Sequence, residues 1–252
     1  MTPQDRSAGD RFILVTGGAR SGKSTFGERL AARLAEPFGG RVTYLATSET
    51  NDVEMAARVV AHRAARPAAW TTLECPLAVP AAVREHAGAR TRADAGAKAG
   101  AAAFGGPAGP PVFLLDCVTF WVTNLLFAGG AFGGSTPPDE GFNYDKDLLP
   151  VDEERAAAAR VSAGVADLLA ALAETGAGLV AVTNEVGLGV VPEYPLARLY
   201  RDQLGWANQR LAAAADRVYF LVAGLPLDVT ALAAAPLAAS PLTQFPVKES
   251  DQ

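Results

Sequence analysis

Two cysteines, two histidines and two methionines stand among 252 residues. Cys75 and Cys117 are too few for a disulfide framework or a four-ligand zinc site, and they fit a reducing compartment. Lysine is scarce: Lys23, Lys98, Lys146 and Lys248 are the only four among 22 basic residues. There is no excess of basic charge either. With 27 acidic side chains the net charge is −5, so the chain lacks the field by which a protein draws in nucleic-acid phosphates, and no nucleic-acid partner is expected. No unbroken apolar run reaches the roughly 18 residues of a membrane span. The opening MTPQDRSAGDRF lacks the apolar stretch of a signal peptide. These absences predict a cytoplasmic protein, without a membrane span, whose partners are small molecules.

What is present is a chain half apolar and 19% charged, which excludes wholesale disorder and suits one compact α/β domain. Residues 1–11 read as a flexible N-terminus. Short continuous apolar runs, as in strands buried on both faces of a parallel sheet, occur at Phe12–Thr16, Arg41–Ala46, Val112–Asp116, Leu179–Thr183 and Arg217–Val222, with a further short strand near Trp70–Leu73. Helices are predicted over 23–35, 52–65, 78–86, 118–127 and 152–174, and along the stripe from Leu196 to Leu211. Strands alternating with helices imply a mainly parallel sheet with helices on both faces. The Ala/Gly/Pro-rich segment 87–110 and the Gly/Pro/Asp-rich segment 129–150 read as insertions into a single nucleotide-binding domain over 12–224. Residues 225–252 read as a low-complexity tail.

Gly17-Gly18-Ala19-Arg20-Ser21-Gly22-Lys23-Ser24 fits G-x-x-x-x-G-K-[ST] between a buried strand and a helix. Each part has a physical task. The glycines let backbone N–H groups turn onto phosphate oxygens, the helix N-terminus adds its partial positive charge, Lys23 reaches the β/γ-phosphates, and the Ser24 hydroxyl is a ligand for Mg²⁺. Asp116 ends the strand VFLLD, which suits either a carboxylate organising that Mg²⁺ or a cap on the next helix.

Of the two histidines, His86 borders the first insertion and reads as surface. His62 lies on the helix 52–65 in the polar row Glu54, Arg58, His62, Arg66, opposite an apolar stripe. Such a row is either a solvated face or a phosphate site. Arg58, Arg63 and Arg66 favour phosphate and disfavour a second positive charge on the imidazole, whereas the helix C-terminus before Pro67 works the other way. A neutral imidazole there is a competent nucleophile toward phosphorus. The block Thr183-Asn184-Glu185-Val186-Gly187 follows a strand's C-terminal end. It reads either as a ligand contact or as a Gly-rich helix entry.

Four blocks occur together: VTGGARSGKS, YLATSETNDVEMAARVVAHRAARPAAWTTLE, LLDCVTFWVTNLLF and VTNEVGLGVVPEYPLARLYRDQLGWANQRLAAAADRVYFLVAG. In this order they resemble the bifunctional adenosylcobinamide kinase / adenosylcobinamide-phosphate guanylyltransferase family of cobalamin biosynthesis. The resemblance implies a P-loop NTPase fold of RecA-like architecture, with ATP and GTP as nucleotide substrates. It implies that a nucleoside triphosphate phosphorylates adenosylcobinamide, that GTP then guanylylates a histidine, and that adenosylcobinamide phosphate takes up the GMP to give adenosylcobinamide-GDP. By motif position that histidine is His62. Nucleotide contacts are implied for Gly17 through Ser24, for Thr47, Ser48 and Glu49, for Arg63, Ala64, Ala65 and Arg66, and for Glu74 and Asp116. A homo-oligomer is also implied, with a trimer as the candidate state. Two departures stand out: Ala61 occupies the place where some members carry a second histidine, and LPLDVT follows Val222-Ala223-Gly224 where the family commonly continues toward a lysine. The rival readings are a monofunctional kinase without guanylyl transfer and a nucleotide-driven switch protein.

Overall fold

A computed structural model of the chain describes residues 10–48, 67, 69–96, 109–128 and 151–233, with the side chains of 88–96 excepted. Seven strands form one sheet: β1 (Phe12–Gly17), β2 (Val42–Ala46), β3 (Thr71–Glu74), β4 (Val112–Asp116), β5 (Gly178–Val182), β6 (Arg217–Val222) and β7 (Leu225–Asp228). Their order is β3-β2-β4-β5-β1-β6-β7. Every neighbouring pair is parallel except β6 and β7, which form an antiparallel hairpin. The helices are α1 (Lys23–Ala35), α2 (Val79–Gly96), α3 (Val118–Phe127), α4 (Val151–Thr175), α5 (Pro195–Ala214) and the single turn α6 (Val229–Leu232). The expected mainly parallel sheet with helices on both faces is what the chain forms.

The continuous apolar strands owe their composition to burial on both faces. In β1, Phe12 and Leu14 join the core beneath α2, α3, α4 and α5, while Ile13 and Val15 face the smaller core under α1. α1 lies close to the sheet at Gly27, where an added Cβ would come within 2.8 Å of Val182 Cγ2. α1 ends at Ala35, and a single 3₁₀ turn, Glu36–Phe38, carries Pro37. α4 is long and apolar enough to cross a bilayer by length and composition, yet it buries Ala157, Val161, Val165, Leu168 and Ala171 in the larger core. Trp121 of α3 is fully buried there, its indole N–H donating to the Leu77 carbonyl at 3.0 Å.

The structure differs from the sequence expectation at two places. α2 runs on to Gly96, well into the segment read as an insertion from residue 87. Its continuation is rich in alanine and arginine, residues with high intrinsic helix propensity, so helix persists where no apolar stripe announces it. The presumed tail from 225 also begins with structure: Ala223 and Gly224, at φ +51° and +82°, make a two-residue turn that returns β7 onto β6. Pro226 is tolerated because β7 is an edge strand. The expected helix 52–65 and the segment 129–150 lie outside the described residues.

Candidate active site

All the described candidate residues gather along the C-terminal edge of the sheet. Register puts Glu74, Ala46, Asp116, Val182 and Val15 in one row across five adjacent strands. β1 runs on past this row to Gly17, where the loop to α1 begins. Gly17 has φ +149°, and an added Cβ would lie 2.5 Å from the Leu221 carbonyl oxygen. Gly22, at φ +91°, caps α1 without a side-chain hydrogen bond, and no acidic residue occupies that helix's first turn. The first amides of α1 and its positive end are thus left for an anion.

The loop's carbonyls are held from outside. Glu185 N–H donates to Gly17 O and Gly224 N–H to Ser21 O, each at 3.0 Å. Lys23 Nζ donates to Gly18 O at 2.5 Å. Three of the loop's carbonyls, those of Gly17, Gly18 and Ser21, are thus engaged within the protein. The Thr16 and Ser21 hydroxyls are buried without a partner among the described residues. Lys23 is only 7% exposed. Burial pushes its pKa down, opposed by the Cys117 and Asp116 side chains. Burial pushes the Cys117 thiol up to about 11, so it is protonated at neutral pH. Cys117 is therefore a neutral neighbour and not a nucleophile.

Asp116 is half-buried and accepts from Tyr44 OH at 2.9 Å through Oδ2. Thr47 is fully buried: its hydroxyl donates to Cys117 O at 2.7 Å and accepts from Cys117 N–H at 2.9 Å. Its carbonyl takes a hydrogen bond from Asn124 Nδ2 at 2.8 Å. The hydroxyl is thereby occupied in both senses, and Thr47 braces the end of β2 against the end of β4. Ser48 is half-buried beside it, and Glu74 is exposed at the tip of the edge strand β3. Gly17, Gly18, Ala19, Arg20, Ser21, Gly22, Lys23 and Ser24 are brought together with Asp116. Glu49, His62, Arg63, Ala64, Ala65 and Arg66 lie outside the described residues. His86 is half-buried on α2 with Nδ1 3.0 Å from Ala82 O, away from this edge.

Tyr44 and Asn208 escape sequence reasoning. Each belongs to a strand or helix whose apolar pattern explains its neighbours, and its partner is remote in the chain: Asp116 for Tyr44, Thr183 and Asn184 for Asn208.

A parallel sheet whose strand β1 leads through a glycine loop into a helix, with a buried lysine in the loop and an aspartate two strands away, defines a P-loop nucleotide-binding α/β protein. Residues 13–93 and 101–229 match the family described as cobinamide kinase / cobinamide phosphate guanyltransferase. The chain belongs to that family and is an enzyme with both of those activities. It is 40% identical over 218 residues to the bifunctional adenosylcobalamin biosynthesis protein CobU of Salmonella typhimurium, covering 86% of this chain and 99% of that one. The CobU protein of Escherichia coli matches with the same identity and coverage. The corresponding CobP protein of Pseudomonas aeruginosa is 39% identical over 216 residues, covering 86% and 95%. Among solved structures, the ATPase domain of G40P superposes with a TM-score of 0.45 at 10% identity, covering 84% of this chain and 69% of that one.

Proposed function

We propose that the loop Gly17–Ser24 binds the nucleoside triphosphate that phosphorylates the aminopropanol hydroxyl of adenosylcobinamide, and that His62 then carries GMP from GTP to adenosylcobinamide phosphate. The observation that carries the reading is Lys23, a buried side chain whose ammonium donates to Gly18 O of its own loop and makes no ion pair with a carboxylate among the described residues. Its charge is available to a phosphate. In phosphorylation the substrate hydroxyl oxygen bonds to the γ-phosphorus, the bond to the β–γ bridging oxygen breaks, the nucleoside diphosphate leaves with that electron pair, and the hydroxyl proton passes to solvent. Lys23 stabilises the charge that gathers on the transferred group.

Ser24 and Asp116 offer hard oxygen donors beside the loop, a set that suits Mg²⁺. No group of three His, Cys, Asp or Glu side chains that could hold a metal occurs among the described residues, so an ion here would share its coordination with substrate phosphates and water. When bound, it would supply further neutralisation of the β- and γ-phosphates.

For guanylyl transfer, an imidazole nitrogen of His62 attacks the α-phosphorus of GTP. An N–P bond forms, pyrophosphate leaves, and the phosphate oxygen of adenosylcobinamide phosphate later displaces the histidine. Arg63 and Arg66 stabilise the triphosphate, and Ser48, Glu49 and Glu74 complete the nucleotide contacts. Protein incubated with α-labelled GTP should retain label that is acid-labile and alkali-stable, and His62→Asn should abolish it while leaving phosphorylation within about threefold. Label persisting on His62→Asn would overturn the assignment. The same reading places the enzyme in the cytoplasm as a homo-oligomer, a trimer being the candidate state, which light scattering checks by mass.

A further inference from the structure

The segment leaving β5 is held more firmly than a connecting loop requires. β5 lies between β1 and β4, and Val182 is in register with Val15 on one side and Asp116 on the other. The chain therefore emerges between the phosphate loop and Asp116. Thr183 is fully buried; its N–H donates to Val15 O at 2.9 Å and its hydroxyl to Asn208 Oδ1 at 2.7 Å. Asn184 N–H donates to Thr119 Oγ1 at 3.0 Å, in the first turn of α3, and its carbonyl accepts from Asn208 Nδ2 at 3.0 Å. The next residue, Glu185, donates its N–H to Gly17 O, and its carboxylate turns back to accept from Gly187 N–H at 2.5 Å.

The Asn184 carboxamide makes no hydrogen bond among the described residues, although both backbone groups of that residue are fixed. The side chain is half-buried, at the edge where Lys23 and Asp116 sit within electrostatic reach of each other. A fixed backbone that carries one uncommitted neutral donor at this edge can give a hydrogen bond to growing negative charge without first breaking another.

We infer that the Asn184 carboxamide is a catalytic group of the phosphorylation step, donating to the oxygens of the transferred phosphoryl, and that Asn208 is the positioning residue that holds Asn184 in place. The inference rests on the reading of this loop as the site of adenosylcobinamide phosphorylation. As the hydroxyl oxygen bonds to the γ-phosphorus and the bond to the departing diphosphate breaks, charge gathers on these oxygens and the hydrogen bond from Asn184 strengthens. Binding the ground-state nucleotide depends chiefly on the loop and Lys23. The signature is therefore a loss of kcat with little change in nucleotide KM.

The test is steady-state phosphorylation of adenosylcobinamide by full-length wild-type protein and by Asn184→Ala, Asn184→Ser and Asn208→Ala, beside GTP-dependent covalent labelling of the same proteins. Asn184→Ala leaves the backbone hydrogen bonds intact. Its kcat should fall about 100-fold with nucleotide KM within about threefold, while labelling, which occurs at the α-phosphorus, should persist. Asn184→Ser serves should the alanine variant not fold. Asn208→Ala should lower kcat about 10-fold with the same split. Full kcat in either Asn184 variant would overturn the inference, as would equal loss of phosphorylation and labelling at an unchanged melting temperature. Wild-type protein that labels with GMP but does not phosphorylate adenosylcobinamide would overturn the functional reading itself.

Discussion

The two ends of the central strands treat polar groups in opposite ways. Where β1 and β6 begin, the Asp216 carboxylate accepts from Arg11 N–H at 2.7 Å and Phe12 N–H at 2.8 Å. Arg217 pairs with Asp10 at 2.6 Å and with Asp228 at 2.9 Å. Both carboxylates hold its pKa above the ordinary arginine value. Where the same strands end, Lys23 is buried and its pKa is pushed down, and the Thr16 and Ser21 hydroxyls are buried without partners among the described residues. One end is electrostatically satisfied and serves stability. The other carries unmet hydrogen-bonding capacity, which costs stability in the free protein and is recovered when a phosphate arrives.

This contrast breaks first at Lys23. Lys23→Met should lower kcat/KM for phosphorylation at least about 1000-fold, yet raise the stability of the nucleotide-free protein by about 1 kcal/mol, read by denaturant unfolding. A fall in stability instead would show that burying the Lys23 ammonium is no net cost to the nucleotide-free protein. The sign of the pH dependence follows from the depressed pKa. Between that value and the ordinary lysine value of 10.5, the unfolded chain binds the extra proton, so stability from this group rises with pH. Nucleotide affinity falls over the same interval as the ammonium discharges. Lys23→Met should flatten both slopes.

At the opposite end the effects should reverse. Asp216→Ala leaves two backbone N–H groups without their charged acceptor and should destabilise the protein by about 2 kcal/mol in the same unfolding measurement. Its kcat at saturating substrate should be unchanged. A loss of kcat would mean that the two ends are coupled and the comparison fails. The smallest effect belongs to Arg84→Ala, which removes the ion pairs to Asp167 and Glu174 that join α2 to α4 on an exposed surface. Neither kcat nor the melting temperature should move measurably, because solvent screens such pairs.

Legibility followed distance along the chain. The phosphate loop could be read because strand, glycines, lysine and helix are covalent neighbours, and each residue's task depends on the next few. Asp116 could be read as a strand-end carboxylate, though not its hold on Tyr44, which stands 72 positions away. The bond pairs between Thr47 and Cys117 cross 70 positions, and their effect is to turn a candidate contact into a brace. The extension of α2 to Gly96 was obscured because alanine and glycine suggest a linker by composition even where alanine propensity favours helix. β7 was obscured because a four-residue edge strand holding a proline owes its existence to β6 and to the turn at Ala223-Gly224.

By itself, the order of residues determined that a parallel sheet would form and that a phosphate cradle would stand at the exit of its first strand. Both follow from local periodicity and from conformations that only glycine takes easily. That Asp116 is held by Tyr44, and that Asn208 fixes the backbone of Asn184 while its carboxamide stays uncommitted among the described residues, was decided by the tertiary structure alone. Those facts depend on strand order and on hydrogen bonds between residues far apart in the chain, and no local pattern encodes them.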